Sequence, residues 1–387
     1  MPGSPLCRGT TAGSPGQWSR IEKPAKPIRA LLISGGNAHD QKIVLGPGYQ
    51  VPFSAAIRRA AGASKARGYV THNARFVPDV AQLNGFHPGL RKAIIETVGS
   101  IAGQCDGMRC DMAMLLMTPI FERTWGNRAG LRPEKEYWPE VIQGVRKRYP
   151  DVLFMAEAYW DKEWELQQQG FDYCYDKRLY DRLEHGPAES VRLHLCADLP
   201  YQEKLVRFIE NHDEPRAAAT FVDQQARAAA VTSATLPGAR LFHEGQFEGR
   251  RVRLPVFLRR RPDEAPDRDL QGFYHALLQT LRSKDVRDGE WKLCERTGWP
   301  DNDSYLNVVA WCWQQGADRH LIVVNLSEVR SQTRVKLPWT DLNSCSWRLT
   351  DPLQMTFFDR AGDELQASGL YVDLEPWGYH VLHCEHS

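Results

Sequence analysis

The chain has 387 residues, of which 42% are hydrophobic and 25% charged, and its formal net charge is +1. That length accommodates two or three domains with a sizeable core, and the near-zero charge excludes an electrostatic footprint for nucleic acid or an anionic membrane surface. Nine cysteines without a Cys-x-x-Cys spacing argue against a disulfide framework and against a zinc site.

In chain order, residues 1–78 form an irregular, unassigned segment. Met1 to Arg20 is rich in Gly, Ser and Pro and lacks the apolar stretch of a signal peptide. No run of about 18 apolar residues occurs, so no membrane span is expected, and the expected location is the cytoplasm. Ala30 to Ser34 reads as a short strand and Ser54 to Ala63 as a short basic helix.

From Asp79 the texture changes, and residues 79–285 read as one catalytic domain. Pro88 to Gln104 carries apolar residues at helical spacing, with Pro88 suited to a first helical position. Strands are expected at Gly107–Met114, Val152–Ala156, Phe171–Cys174, Leu205–Ile209 and Ala239–His243. Between them, helices are expected at Glu134–Tyr149, Trp160–Gln169, Asp176–Glu184, Ala188–Leu199, Val222–Ala234 and Asp269–Arg282. Strands alternating with helices imply parallel βα units. After about residue 286 the helices stop. Short strands at Val308–Trp313, His320–Asn325, Val335–Leu337, Trp347–Thr350 and Tyr379–His383 predict a separate all-β, sandwich-like domain over 286–387.

Three strands run into a carboxylate: Asp111, Glu157 and Asp213. A charge at the end of a buried strand is unfavourable unless paired or functional, and in a (β/α) barrel the C-terminal strand ends build the active-site face. Arg109 and Asp111 are two apart, so a strand points them to one side, and an Arg beside a carboxylate favours its ionised form. Glu157 follows five apolar residues and precedes Ala158-Tyr159-Trp160, surroundings that raise a carboxyl pKa by desolvation. Trp125, Tyr137, Trp138, Tyr159, Trp160 and Trp164 follow the first two acidic strands and are suited either to stacking on sugar rings or to packing. His243 and Glu244 follow the last of these strands and would line the same face. Arg250, Arg251, Arg253 and Arg259 to Arg261 read as a solvated loop. His212-Asp213 has no third partner at metal-ligand spacing.

Gly107-Met108-Arg109-Cys110-Asp111-Met112-Ala113 resembles the Gly-x-Arg-x-Asp block of the α-amylase family, glycoside hydrolase family thirteen. Met155-Ala156-Glu157 is similar to its acid/base strand and Glu210-Asn211-His212-Asp213 to its Asn-His-Asp element. Ala81-Gln82-Leu83-Asn84, with Pro88 and Arg91, resembles a block before its fourth strand. The blocks stand in the family's order, and the resemblance runs from about Asp79 to the C-terminus.

The resemblance implies an α/β fold, a (β/α)8 barrel with a C-terminal β-sandwich. It also implies retaining hydrolysis or transglycosylation at α-glucosidic linkages of α-glucans or oligosaccharides. Asp111 matches the nucleophile, Glu157 the general acid and base, and Asp213 the carboxylate that stabilises the transition state. Arg109 would keep Asp111 ionised, His212 and Asn211 would contact sugar hydroxyls, and Tyr159 and His243 complete the expected substrate-binding set. Retention sets the two reacting carboxyls about 5–5.5 Å apart. No cofactor, nucleic acid or membrane partner is implied, and oligomeric state stays open.

The family's first block, an Asp-x-x-x-Asn-His segment that supplies a sugar-binding His and an Asn for a structural calcium ion, is not found. Only strands four to eight are recognisable, so the barrel is expected to be incomplete, with a truncated or aberrant N-terminal part. Calcium binding is therefore not expected of the residues present. The alternative reading is a catalytically impaired fragment or carbohydrate-binding protein of the same lineage.

Overall fold

The structure is a computed structural model that describes residues 83–254 and 261–387, together with the backbone of short strands at 30–33, 42–45, 49–52, 69–70 and 81–82. The helix expected at Ser54–Ala63 lies outside the described residues. Among the described residues the chain forms two compact units. One takes the chain up to Arg178 together with Ala197–Val206; the other takes Leu179–Cys196 together with Arg207–Ser387.

The first unit is built on a parallel sheet. Ala30–Ile33 (β1) pairs with Gly107–Cys110 (β2), matching Leu32 with Arg109. Strand β2 pairs in turn with Leu153–Ala156 (β3), β3 with Tyr173–Tyr175 (β4), and β4 with Leu205–Arg207 (β5). All four pairings are parallel, and the crossovers carry helices, as parallel connections require.

Helix Pro88–Ala102 (α1) has Pro at its first position and His87 as N-cap, whose ring accepts from Gly89 N. Its apolar stripe Leu90, Ile94, Val98 and Ile101 is buried. Helix Tyr137–Arg146 (α2) buries Tyr137, Trp138, Val141, Ile142 and Val145. These stripes join Met108, Phe154, Leu166, Phe171 and Leu205 in one core. At Gly144 a Cβ would come within 2.9 Å of the Ile95 side chain, so a larger residue would force Ile95 to shift.

The strands are shorter than the hydrophobic pattern suggests. Strand β2 stops at Cys110 rather than Met114, because Met112 turns left-handed at φ 44°. Ala113 N then bonds Glu157 O at 3.1 Å instead of continuing the ladder. Strand β5 stops at Arg207 rather than Ile209. In the second unit Ala239–Arg240 (β6) stops before His243, after which Leu241 N donates to Arg207 O at 2.8 Å.

The rest of the second unit ends in two antiparallel sheets. One runs in the order Glu290–Leu293, Val308–Gln315, Asp318–Asn325, Tyr379–His386, Ser346–Asp351, Thr356–Ala361. The other runs Glu295–Thr297, Ser331–Lys336, Leu370–Leu374. Val308, Ala310, Leu321, Val323, Val335, Leu349, Val372 and Leu382 share one buried core, as a sandwich requires. The expectation that helices stop after residue 286 is corrected by Gly362–Ser368, a helix whose Leu365 enters this core. Val308–Trp313 is buried throughout rather than alternating. One reason is that helix Asp223–Thr235 caps its far end, with Trp313 Nε1 donating to Thr235 O at 2.7 Å. No helix among the described residues is long and apolar enough to cross a membrane.

Candidate active site

The turn that ends β2 and the first residue after β3 meet around one buried guanidinium. Arg109 Nη1 lies 3.1 Å from Asp111 Oδ2, and Arg109 Nη2 lies 2.7 Å from Glu157 Oε1. Arg109 and Glu157 are 6% and 3% exposed, whereas Asp111 is 19% exposed. The Tyr175 ring at the end of β4 packs under the guanidinium, 5.3 Å from its carbon. Met112 N donates to Glu157 Oε2 at 2.6 Å and Tyr159 Oη to Glu157 Oε1 at 3.1 Å.

Two carboxyls thus share one cation in a water-poor place. Burial pushes the Glu157 carboxyl from 4.5 up to about 7; Arg109 pulls it back, and the Asp111 charge and a hydrogen bond with Asp111 push it further up. The turn residue Cys110, buried beside this pair, has its thiol raised to about 12 by burial.

The Tyr159 turn continues into Trp160 and Asp161, both left-handed at φ 60°, a conformation that costs about 1–3 kcal/mol per non-glycine residue. Arg178 Nε holds Asp161 at 2.6 Å, and Trp160 stands 54% exposed. Trp164 is equally exposed, whereas Tyr137 and Trp138 are core residues, 3% and 5% exposed. A second buried acid that the sequence pattern did not single out, Glu163, is 2% exposed and is raised by burial to about 7.

In the second unit, the loop after β5 carries Asn211, His212 and Asp213. His212 Nε2 lies 3.0 Å from Asp213 Oδ2, and these side chains are 30% and 43% exposed. Asn211 is 2% exposed. Its Oδ1 accepts from Asp213 N at 2.8 Å and Glu214 N at 2.9 Å, so it shapes the loop that displays its neighbours. Its Nδ2 is buried with no hydrogen-bond partner among the described residues.

His243, after β6, is tied to that same loop. Its Nδ1 lies 3.0 Å from Glu210 Oε1. Arg216 Nη1 lies 2.8 Å from Glu210 Oε1, and Ala217 N donates to Glu210 Oε2 at 2.7 Å. Glu210 and Arg216 are 1% and 2% exposed. Neither was singled out from sequence, although Glu210 stands inside the quoted block and Arg216 follows it by three residues. Their signal was a charged pair beside an apolar strand, the reasoning already applied to Asp111. Among the described residues no group of three or more His, Cys, Asp or Glu stands together as a metal site.

No family model matches the chain. It is similar to the α-amylase MalA of Haloarcula japonica, 27% identical over 286 residues, which cover 70% of this chain and 39% of that protein. Among solved structures it is similar to the noncanonic maltogenic α-amylase AmyB from Thermotoga neapolitana. There the TM-score is 0.60 and identity 18%, covering 82% of this chain and 71% of that one. It is also similar to the α-amylase of Geobacillus thermoleovorans, complexed with acarbose. That TM-score is 0.61 and identity 14%, covering 91% of this chain and 76% of that one. The chain thus spans about two fifths of its curated relative. The likeness is one of fold: parallel βα units of an incomplete barrel followed by a C-terminal β-domain, as expected from the sequence.

Proposed function

We propose that this chain is an α-glucan-acting glycosidase or transglycosidase working by retention, with Asp111 as nucleophile, Glu157 as general acid and base, and Asp213 as the carboxylate that stabilises the transition state. The observation that carries this is the single Arg109 guanidinium shared by Asp111 and a Glu157 raised to about 7. A retaining glycosidase needs one carboxylate charged and one carboxylic acid protonated near neutral pH. Burial favours the proton on Glu157, and Arg109 stands beside Asp111 as its cationic partner.

In the first step the Asp111 carboxylate forms a bond to the anomeric carbon as the glycosidic C–O bond breaks. The leaving oxygen takes the Glu157 proton. In the second step Glu157, now a carboxylate, removes a proton from water or a sugar hydroxyl, which displaces Asp111 and restores both groups. Met112 N and Tyr159 Oη, both donating to Glu157, hold its carboxyl in place for both transfers. His212 and His243 are assigned to sugar hydroxyls, and the exposed Trp160 to a sugar face. Acarbose, bound by the Geobacillus enzyme, is the corresponding ligand class. The reading uses no cofactor. It places the protein in the cytoplasm, since the cysteines of the described residues are free thiols, which suit a reducing compartment.

The test is incubation of the chain with a maltooligosaccharide of defined length. Shorter products with retained anomeric configuration indicate hydrolysis, and longer products indicate transfer. Binding without any product supports the alternative of a sugar-binding, catalytically impaired chain, and inversion of configuration sinks the retaining assignment.

A further inference from the structure

We propose that Glu210, Arg216 and Gln246 are positioning residues that fix His243 as its Nδ1–H tautomer, so that its Nε2 lone pair accepts a hydroxyl hydrogen of the bound sugar. The second half of this rests on the α-glucan reading above; the first half does not.

The tautomer follows from counting hydrogens. Arg216 Nη1 has three neighbours: Glu210 Oε1 at 2.8 Å, the backbone oxygen of Glu244, and His243 Nδ1 at 2.9 Å. It carries only two hydrogens. Both are taken by the oxygens, one charged and one a carbonyl, which are better acceptors in a buried place than a ring nitrogen. His243 Nδ1 therefore receives none from Arg216. Its own contact, Glu210 Oε1 at 3.0 Å, is to a pure acceptor, so Nδ1 carries the hydrogen and donates it. In the neutral ring that leaves Nε2 bare.

The charges around the ring balance without it. The Glu210 carboxylate already faces the Arg216 guanidinium, both nearly inaccessible. Glu244, 3.6 Å from Arg216 Nη2, is itself paired with Arg261. A cationic His243 would add a charge that nothing in this cluster balances.

The ring is also held by its backbone. His243 N donates to Gln246 Oε1 at 3.1 Å, and Gln246 Nε2 donates to the buried Tyr274 hydroxyl at 2.9 Å. No hydrogen bond to His243 Nε2 occurs among the described residues, and the side chain is 24% exposed. A locked ring with one bare nitrogen at the surface suits acceptance of a hydroxyl rather than donation to one. It is the complement of a cationic hydroxyl donor, and it distinguishes the job of His243 from that of His212, whose Nε2 faces Asp213 at 3.0 Å.

The test is nitrogen NMR of the full chain labelled with 15N-histidine, with His243→Asn used to identify the His243 signals. The expected result is a pyrrole-type Nδ1 and a pyridine-type Nε2 in the absence of sugar. A protonated Nε2, or an exchanging mixture, overturns the positioning assignment whatever the substrate. On titration with maltopentaose, the Nε2 signal should move. If other signals shift at saturation while Nε2 does not, the acceptor role is wrong and the glucan reading stands. If no signal shifts, both the acceptor role and the glucan reading fail, while the tautomer result stands on its own.

Kinetics provides a second readout. His243→Gln, which can still offer an oxygen near the Nε2 position, should raise KM less than His243→Asn, whose rise should be about 2–10-fold, the equivalent of one neutral hydrogen bond. Equal effects of the two variants would overturn the acceptor role. Arg216→Lys, which keeps the charge but loses the planar fork, should leave the chain folded and return the His243 signals to a mixture of tautomers. A single unchanged tautomer there would remove Arg216 from the device.

Discussion

Two buried arginines organise this molecule, and they are provisioned in opposite ways. Arg109 faces two carboxyls, Asp111 and Glu157, neither of which has another cation in its ion pairs among the described residues. Arg216 faces one buried carboxylate, Glu210, whose second oxygen is closed by a backbone N–H. The first cluster is short of one positive charge, so one carboxyl retains a proton at a pH where carboxyls ordinarily lose it. The second is balanced, and its product is a fixed orientation. An unbalanced buried pair is equipped for proton transfer; a balanced one is equipped for alignment.

The comparison breaks first at Asp111. Asp111→Asn should lower turnover of a maltooligosaccharide by at least about 10⁴-fold, the scale seen when a reacting group is removed from a coupled site. Thermal unfolding should stay within a few degrees of the parent. Substantial residual turnover would mean that Asp111 is an ion-pair partner only.

Glu157→Gln should cost about 10²–10⁴-fold, the usual contribution of a positioned acid. In the parent, kcat should fall as pH rises through about 7, because the acid must enter the cycle protonated. A profile flat between pH 6 and 8 would show that burial does not set the acid.

The balanced cluster should fail in stability instead. Arg216→Met leaves Glu210 charged and buried, a loss of about 3–5 kcal/mol in denaturant unfolding. Adding Glu210→Leu should recover much of that, since replacing both partners removes the stranded charge. If the double variant is as unstable as the single, the cluster is held by shape rather than charge.

Glu163 gives the smallest and most specific effect. Both Glu157 and Glu163 are raised from 4.5 to about 7 by burial. Between those values the unfolded chain has released these protons while the folded one keeps them. Stability from these groups is therefore present at low pH and falls as pH rises through this window. Glu163→Gln should flatten part of that fall, measured as unfolding midpoint against pH. An unaltered slope would show that Glu163 meets water.

Much of this was legible in the chain. The spacing of Arg109 and Asp111 gave their shared direction, and the apolar run before Glu157 gave its burial. What the pattern missed follows from how strands end. Hydrophobicity continues through Ala113, Met114, Phe208 and Ile209, all buried, so periodicity extends the strand past the turn. The turn itself is set by left-handed Met112 and by a bond from Ala113 N to Glu157 O, a partner 44 positions away that no local window contains. The resemblance assigns Asn211 to sugar hydroxyls, and in the structure its oxygen accepts from two backbone amides. Glu210 and Arg216 escaped because a buried pair has no sequence period of its own.

The division of the chain bears on how this protein can be dissected. The segment Leu179–Cys196 belongs with the C-terminal unit, while Ala197–Val206, which follows it, returns to the first. Strand β5 is therefore delivered only after the ribosome has passed a stretch destined for elsewhere. No single cut separates the two units: truncation at Arg178 removes strand β5 from the first unit, and truncation at Val206 carries along helices of the other unit. Limited proteolysis in the loops at either junction should accordingly yield fragments that stay associated rather than two free domains, and gene fusions or complementation designs for this chain need three segments rather than two.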